Sequence, residues 1–207
     1  MTASPDITTA PITRGVARAR LWPIWGVLAG VLGLAGTVLF DERPASELEA
    51  AARGESIVAE DANYPLYTAK QGDKETKGWY HPAARLITGF APQEPKLAFD
   101  IVPAGKPGEF KLFFKGKAMP KAKVALVTQS GWMKEGYTDA DGLVKFEMPW
   151  KGTYVAEASH TDRTPGERPG AGGAEKYDTV SYVTTLTYVK ADGVAAVPAG
   201  PVATPNK

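Results

Sequence analysis

"TVSYVTTLTYV", Thr179 to Val189, alternates with period two. Val180, Tyr182, Thr184, Leu186 and Tyr188 fall on one side of an extended chain. Its β-branched and aromatic residues suit a pleated, half-buried surface. The same period recurs upstream. "LAFDIV" sets Leu97, Phe99 and Ile101 on one face, and "EFKLFFK" does so with Phe110, Leu112 and Phe114. "KVALVT", "WMKEGYT", "LVKFEMP" and "TYVAEAS" complete seven short strands, separated by turn signals. From Lys96 onward the pattern predicts an all-β domain, a β-sandwich of the immunoglobulin or transthyretin type.

Two turns carry a mechanism. "TDADG", Thr138 to Gly142, has the carboxylates of a calcium loop, but an EF-hand counted from Asp139 meets Val144 at its sixth position and Trp150 at its twelfth. It reads instead as a hairpin turn, with Asp139 or Asp141 bonding its own backbone and Gly142 at positive φ. In "PWKGTY", Pro149 ends one strand and Gly152 turns into the next.

The front of the chain is different. "LWPIWGVLAGVLGLAGTVLF", residues 21–40, carries no charge and is long enough to cross the hydrocarbon core. Trp22 and Trp25 suit one interface, and Asp41, Glu42 and Arg43 close the other end. The expectation is a transmembrane helix acting as a single-pass anchor. Arg14, Arg18 and Arg20 before it place the N-terminus inside and the β domain outside the cytoplasm, in the periplasm. A cleaved signal peptide is the competing reading, but the apolar run exceeds an ordinary signal core. The expected organisation is a disordered cytoplasmic stretch at 1–20, the membrane helix at 21–40 and a short helical stalk at 41–59. A partial β region follows at 60–92, then the sandwich at 93–190 and a disordered tail at 191–207. In the stalk, Ser46 and Glu49 form a capping box.

Composition narrows the chemistry. With no cysteine, disulfides and thiol catalysis are excluded, and a net charge of +1 argues against a nucleic-acid partner. No nucleophile elbow, zinc-protease helix, phosphate loop or dinucleotide fingerprint is present, so no enzyme is expected. His81 and His160 are the only histidines. His160 and Asp162, two residues apart, point to the same side of an extended chain, and Glu167, Glu175 and Asp178 follow on a long Gly/Pro loop. Imidazole with carboxylate suits Ni, Co, Zn or Cu. The plainer alternative is a solvated loop whose histidine ends a strand. Trp79, Tyr80 and His81 form a second candidate, a cluster able to stack on a sugar ring or to cover a sheet edge.

"FKGKAMPKAKVALVT", "GYTDADGLVKFEMPWKGTYVAEASH" and "KYDTVSYVTTLTYV" together resemble the C-terminal module of a NikM-like, nickel-uptake-associated family of exported bacterial proteins, largely of unknown function. The resemblance covers about residues 85–189. It implies a transthyretin- or carboxypeptidase-regulatory-like sandwich, nickel or cobalt as the ion handled, and a metal transporter complex as partner. Members of that family carry an N-terminal β domain with an early histidine, which has no counterpart here. Only residues 60–92 could correspond to part of that domain. The combined expectation is a membrane-anchored extracytoplasmic binding module accessory to transition-metal uptake. The alternative is a recognition module that binds a protein or glycan without metal.

Overall fold

A computed structural model describes residues 56–71, 74–170, 172–196 and 198. The expectations for 1–20, for the membrane segment 21–40 and for the capping box lie outside these residues. Among the described residues no helix is long and apolar enough to cross a membrane. The described chain is all-β, arranged as strands β1 (Ile57–Glu60), β2 (Tyr67–Gln71), β3 (Lys74–Ile87), β4 (Phe99–Pro103), β5 (Glu109–Phe114), β6 (Lys117–Ala118) and β7 (Lys123–Thr128). These are followed by β8 (Met133–Tyr137), β9 (Leu143–Lys145), β10 (Gly152–Asp162), β11 (Gly166–Gly170), β12 (Gly173–Tyr177) and β13 (Thr179–Lys190).

A seven-stranded sheet runs β1-β3-β13-β10-β7-β8, with β2 also paired to β3. A four-stranded sheet joins β4, β5 and β6, with β9 on β5. β11 and β12 form a separate two-stranded hairpin. Apolar residues of the two larger sheets share one core, an arrangement consistent with a β-sandwich. Phe99, Ile101, Phe110 and Leu112 from the smaller sheet meet Leu126, Tyr154, Ala156, Tyr182 and Leu186 from the larger. The period-two faces read from the sequence therefore point inward.

Residues 60–92, set apart from the sandwich in the sequence reading, supply β2 and β3. β3 lies between β1 and β13 and pairs in parallel with β13 from Thr179↔Gly78 to Tyr188↔Ile87. Pro82 is tolerated there for a definable reason. Its carbonyl accepts from Asp61 N at 3.0 Å, so its missing N–H also faces the side where β1 has ended, and the ladder to β13 loses nothing. At the start of this pair Asp178 Oδ2 accepts from Lys77 N at 2.7 Å, while Asp178 N donates to Lys77 O at 2.8 Å. The stalk drawn to residue 59 has its last residues in β1. The segment drawn as a tail from 191 opens with Val194 bridged to Trp150.

The "TDADG" turn behaves as read at the level of bonds. Asp139 Oδ1 accepts from Asp141 N and Leu143 N, each at 2.9 Å, and Gly142 takes φ +73°. It differs in what it joins. β8 ends the seven-stranded sheet and β9 belongs to the four-stranded one, so the turn is a corner between sheets and not a hairpin.

β3 also ties the sheets together. Arg85 and Asp100 are both fully buried and form a two-point ion pair, Nε to Oδ1 at 3.1 Å and Nη2 to Oδ2 at 2.5 Å. Asp100 Oδ2 also accepts from Lys96 N at 2.8 Å and Leu97 N at 3.2 Å, and Arg85 Nη1 donates to Gln93 Oε1 at 2.8 Å and to Ser56 Oγ. Every charged atom is matched, as buried ions require.

Candidate functional site

Register brings the two sequence candidates onto one face. His160 of β10 stands opposite Tyr182 of β13, and Tyr182 stands opposite His81 of β3. The next row outward is Asp162, Val180 and Trp79. Alternation along each strand turns both rows toward the smaller sheet. Thus His160, Asp162, Trp79 and His81 belong to one end of the inner face, with both histidines flanking Tyr182. Tyr80 leaves the group. Alternation sends it to the outer face, where its ring meets Tyr64 edge-on at 5.1 Å.

The two histidines occupy different environments. His160 packs edge-on against Phe114 at 4.6 Å and near Phe99 at 6.1 Å. Burial lowers its pKa, Asp162 works against that shift, and Lys115 adds to it. Asp162 Oδ1 accepts from Thr164 N at 3.0 Å and Oδ2 from Lys115 Nζ at 2.9 Å. Bonds from Thr164 and then Lys115 hold this carboxyl down at about 2. Lys115 reaches it from the β5–β6 turn, where Lys115 and Gly116 take φ values of 50° and 76°. Positive φ at both positions is what a two-residue type I′ turn demands. With both its oxygens engaged, Asp162 would have to give up Lys115 to receive a cation.

His81 is 7% exposed, and among the described residues neither ring nitrogen has a hydrogen-bond partner. Its ring lies between Trp79, at 4.9 Å, and Tyr182, at 5.1 Å. Glu60 Oε2, from β1, lies 3.4 Å from His81 Nε2 without forming a hydrogen bond. Trp79 Nε1 and Thr184 Oγ1 are likewise buried without partners. All three residues line the inner face of β3 and β13. Buried polar atoms are nearly always bonded, so such a group in one place needs a cause.

The segment 161–178, read as a long loop, is largely the β11–β12 hairpin, and it covers this end of the sheet. Arg168 is its clasp. Its Nη1 donates to Ala62 O at 3.2 Å and Tyr64 O at 2.5 Å, and its Nε and Nη2 reach Glu175 Oε2 at 3.2 and 3.0 Å. The guanidinium lies 5.1 Å from the Trp79 ring, and Tyr177 packs on Trp79 at 5.4 Å. The hairpin carboxylates do not close around an ion. Glu175 is taken by Arg168, Glu167 lies 3.4 Å from Lys176, and Asp178 holds Lys77 N. Among the described residues no group of three or more His, Asp or Glu side chains is placed to hold a metal. The sequence reading missed Glu60 and placed Tyr182 only on a core face, because each joins the site through strand pairing.

At the far end of β10 a small cleft is lined by Gln129, Trp150, Lys151 and Tyr154. The Tyr154 hydroxyl is already bonded to Trp150 N and O at 2.8 and 2.9 Å.

Fold and site together define a two-sheet, all-β domain with a buried aromatic–histidine face under a clasped hairpin. A family model described as a domain of unknown function, DUF4198, matches residues 87–162, less than half of the chain. The match includes His160 and Asp162 and stops short of Glu60, Trp79, His81 and Tyr182. No curated protein and no solved structure matches this chain.

Proposed function

We propose that the chain is a non-catalytic, membrane-anchored extracytoplasmic binding module, accessory to the uptake of a transition metal of the nickel or cobalt type. The observation that carries this reading is the cross-strand row in which the chain's two histidines flank Tyr182. Imidazole nitrogen is the ligand that borderline divalent ions share, whereas calcium seeks oxygen. The resemblance to a nickel-uptake-associated family, the uncharged segment 21–40 and the transthyretin-like sandwich are the supporting parts of the same proposal.

The test is calorimetric titration of Ni²⁺, Co²⁺, Zn²⁺ and Ca²⁺ into the full chain in detergent micelles, beside His81→Ala and His160→Ala. Binding of the transition ions, absent for Ca²⁺ and lost in at least one histidine variant, is expected. No heat from any ion would refute the reading. A second reading, recognition of a protein or glycan without metal, is favoured by the outer face, where Tyr64 and Tyr67 are 39% and 42% exposed beside Tyr80. Tyr64→Ala would abolish that binding and leave the metal titration unchanged.

A further inference from the structure

We infer that His81 and Glu60 form an open, two-ligand seat for a divalent transition ion, separate from the His160–Asp162 pair; this rests on the metal reading above. Three observations converge on it. His81 is more than nine-tenths buried, and both its nitrogens lack partners. An imidazole in that state gives up water, and the carboxylate beside it returns only part of the loss. Glu60 supplies a carboxylate with its Oε2 3.4 Å from Nε2. Two ligands each about 2.1 Å from a tetrahedral ion stand about 3.4 Å apart, so the two side chains are already spaced for one metal. Finally, the Glu60 side chain is 37% exposed, so the carboxylate half of the seat meets solvent while Nε2 is buried.

The contrast with the other pair sharpens the assignment. Asp162 is paired with Lys115 and bonded by Thr164 N, and His160 is turned against Phe114. Among the described residues Glu60 Oε2 accepts a long bond from Ala98 N, at 3.4 Å. A neutral imidazole with one carboxylate carries a single negative charge, which favours a divalent cation. On the covering hairpin, Arg168 lies over Trp79 and its charge is met by Glu175. With two protein ligands the ion keeps open positions for water or for a donor from another molecule. Closed structural sites use four protein ligands. The seat is therefore built for exchange, which suits an ion in transit better than one in storage.

The chain's two histidines make a direct assay possible. In the ¹⁵N-labelled full chain in detergent micelles, long-range ¹H–¹⁵N spectra show two imidazoles, assigned with His160→Ala. Adding Zn²⁺ should move the His81 nitrogen resonances and leave those of His160 in place. Glu60→Gln should weaken the Zn²⁺ response at least tenfold, and because Glu60 lies at a partly exposed edge this variant tests the seat without removing the buried ring. Movement of His160 alone, or an undiminished response in Glu60→Gln, would overturn the seat and leave the metal reading standing. If neither imidazole responds to Zn²⁺, Ni²⁺ or Co²⁺, both fall.

Discussion

His81→Phe is expected to stabilise the metal-free protein and to reverse its advantage when metal is added. A neutral imidazole presents one donor and one acceptor, and each buried polar group left unpaired costs about 1–3 kcal/mol. Neither nitrogen of His81 has a partner, though the Glu60 carboxylate at 3.4 Å returns part of the loss. Phenylalanine keeps the ring between Trp79 and Tyr182 and removes both polar atoms. It is slightly larger, and overpacking can take back about 1 kcal/mol. The net expectation is a gain of about 1 kcal/mol, or roughly 3–5 °C in Tm for a domain of this size. The assay is equilibrium urea unfolding of both proteins in EDTA and then in Zn²⁺. At 100 times its Kd a ligand adds about 2.7 kcal/mol to the protein that binds it, so the wild type should become the more stable of the two. A loss of 1 kcal/mol or more by His81→Phe in EDTA would show that the imidazole is well bonded. No gain by the wild type in Zn²⁺ would remove the reason for keeping it.

Other outcomes follow from the same packing. Arg85→Met strands a buried Asp100 and should cost about 3–5 kcal/mol in urea unfolding, with much of that recovered in Arg85→Met/Asp100→Leu, since losing one partner is worse than losing both. The lowered pKa of His160 means that the folded chain binds fewer protons than the unfolded one. Its contribution is therefore complete above the ordinary histidine pKa of about 6.5 and declines as pH falls below it, so thermal scans from pH 8 to 5 should lose part of their slope in His160→Phe. Arg168→Ala should free the β11–β12 hairpin, raising its amide exchange at least tenfold while the β10–β13 ladder stays protected. At Gly78 an added Cβ would overlap the Tyr67 ring, so Gly78→Ala should displace that ring and break its 3.0 Å bond to Ser181, seen as a shift in the Tyr67 ring resonances.

Local chemistry alone determined a good deal of this protein. Period two between Leu97 and Tyr188 fixed which residues face the core, because a strand's sides alternate whatever it pairs with. Asp139 and Gly142 fixed their turn, since those bonds span four residues. The same reasoning put His160 and Asp162 on one side of β10. What escaped it was pairing. "GWYHPAARLI" carries a proline and a glycine that argue against a central strand, and only the gap between β1 and β2 makes Pro82 harmless. The parallel register of β3 on β13 then aligned His81 with Tyr182 and His160, residues about 100 and 80 positions apart in the chain. The Gly/Pro-rich stretch after Asp162 reads as open loop, yet it closes into a hairpin because Arg168 finds Glu175 beside it and two carbonyls from residues 62 and 64. Sequence sets the direction of each side chain within its own strand. Which side chains then become neighbours depends on long-range strand order and register, and that was decided only when the whole sheet formed.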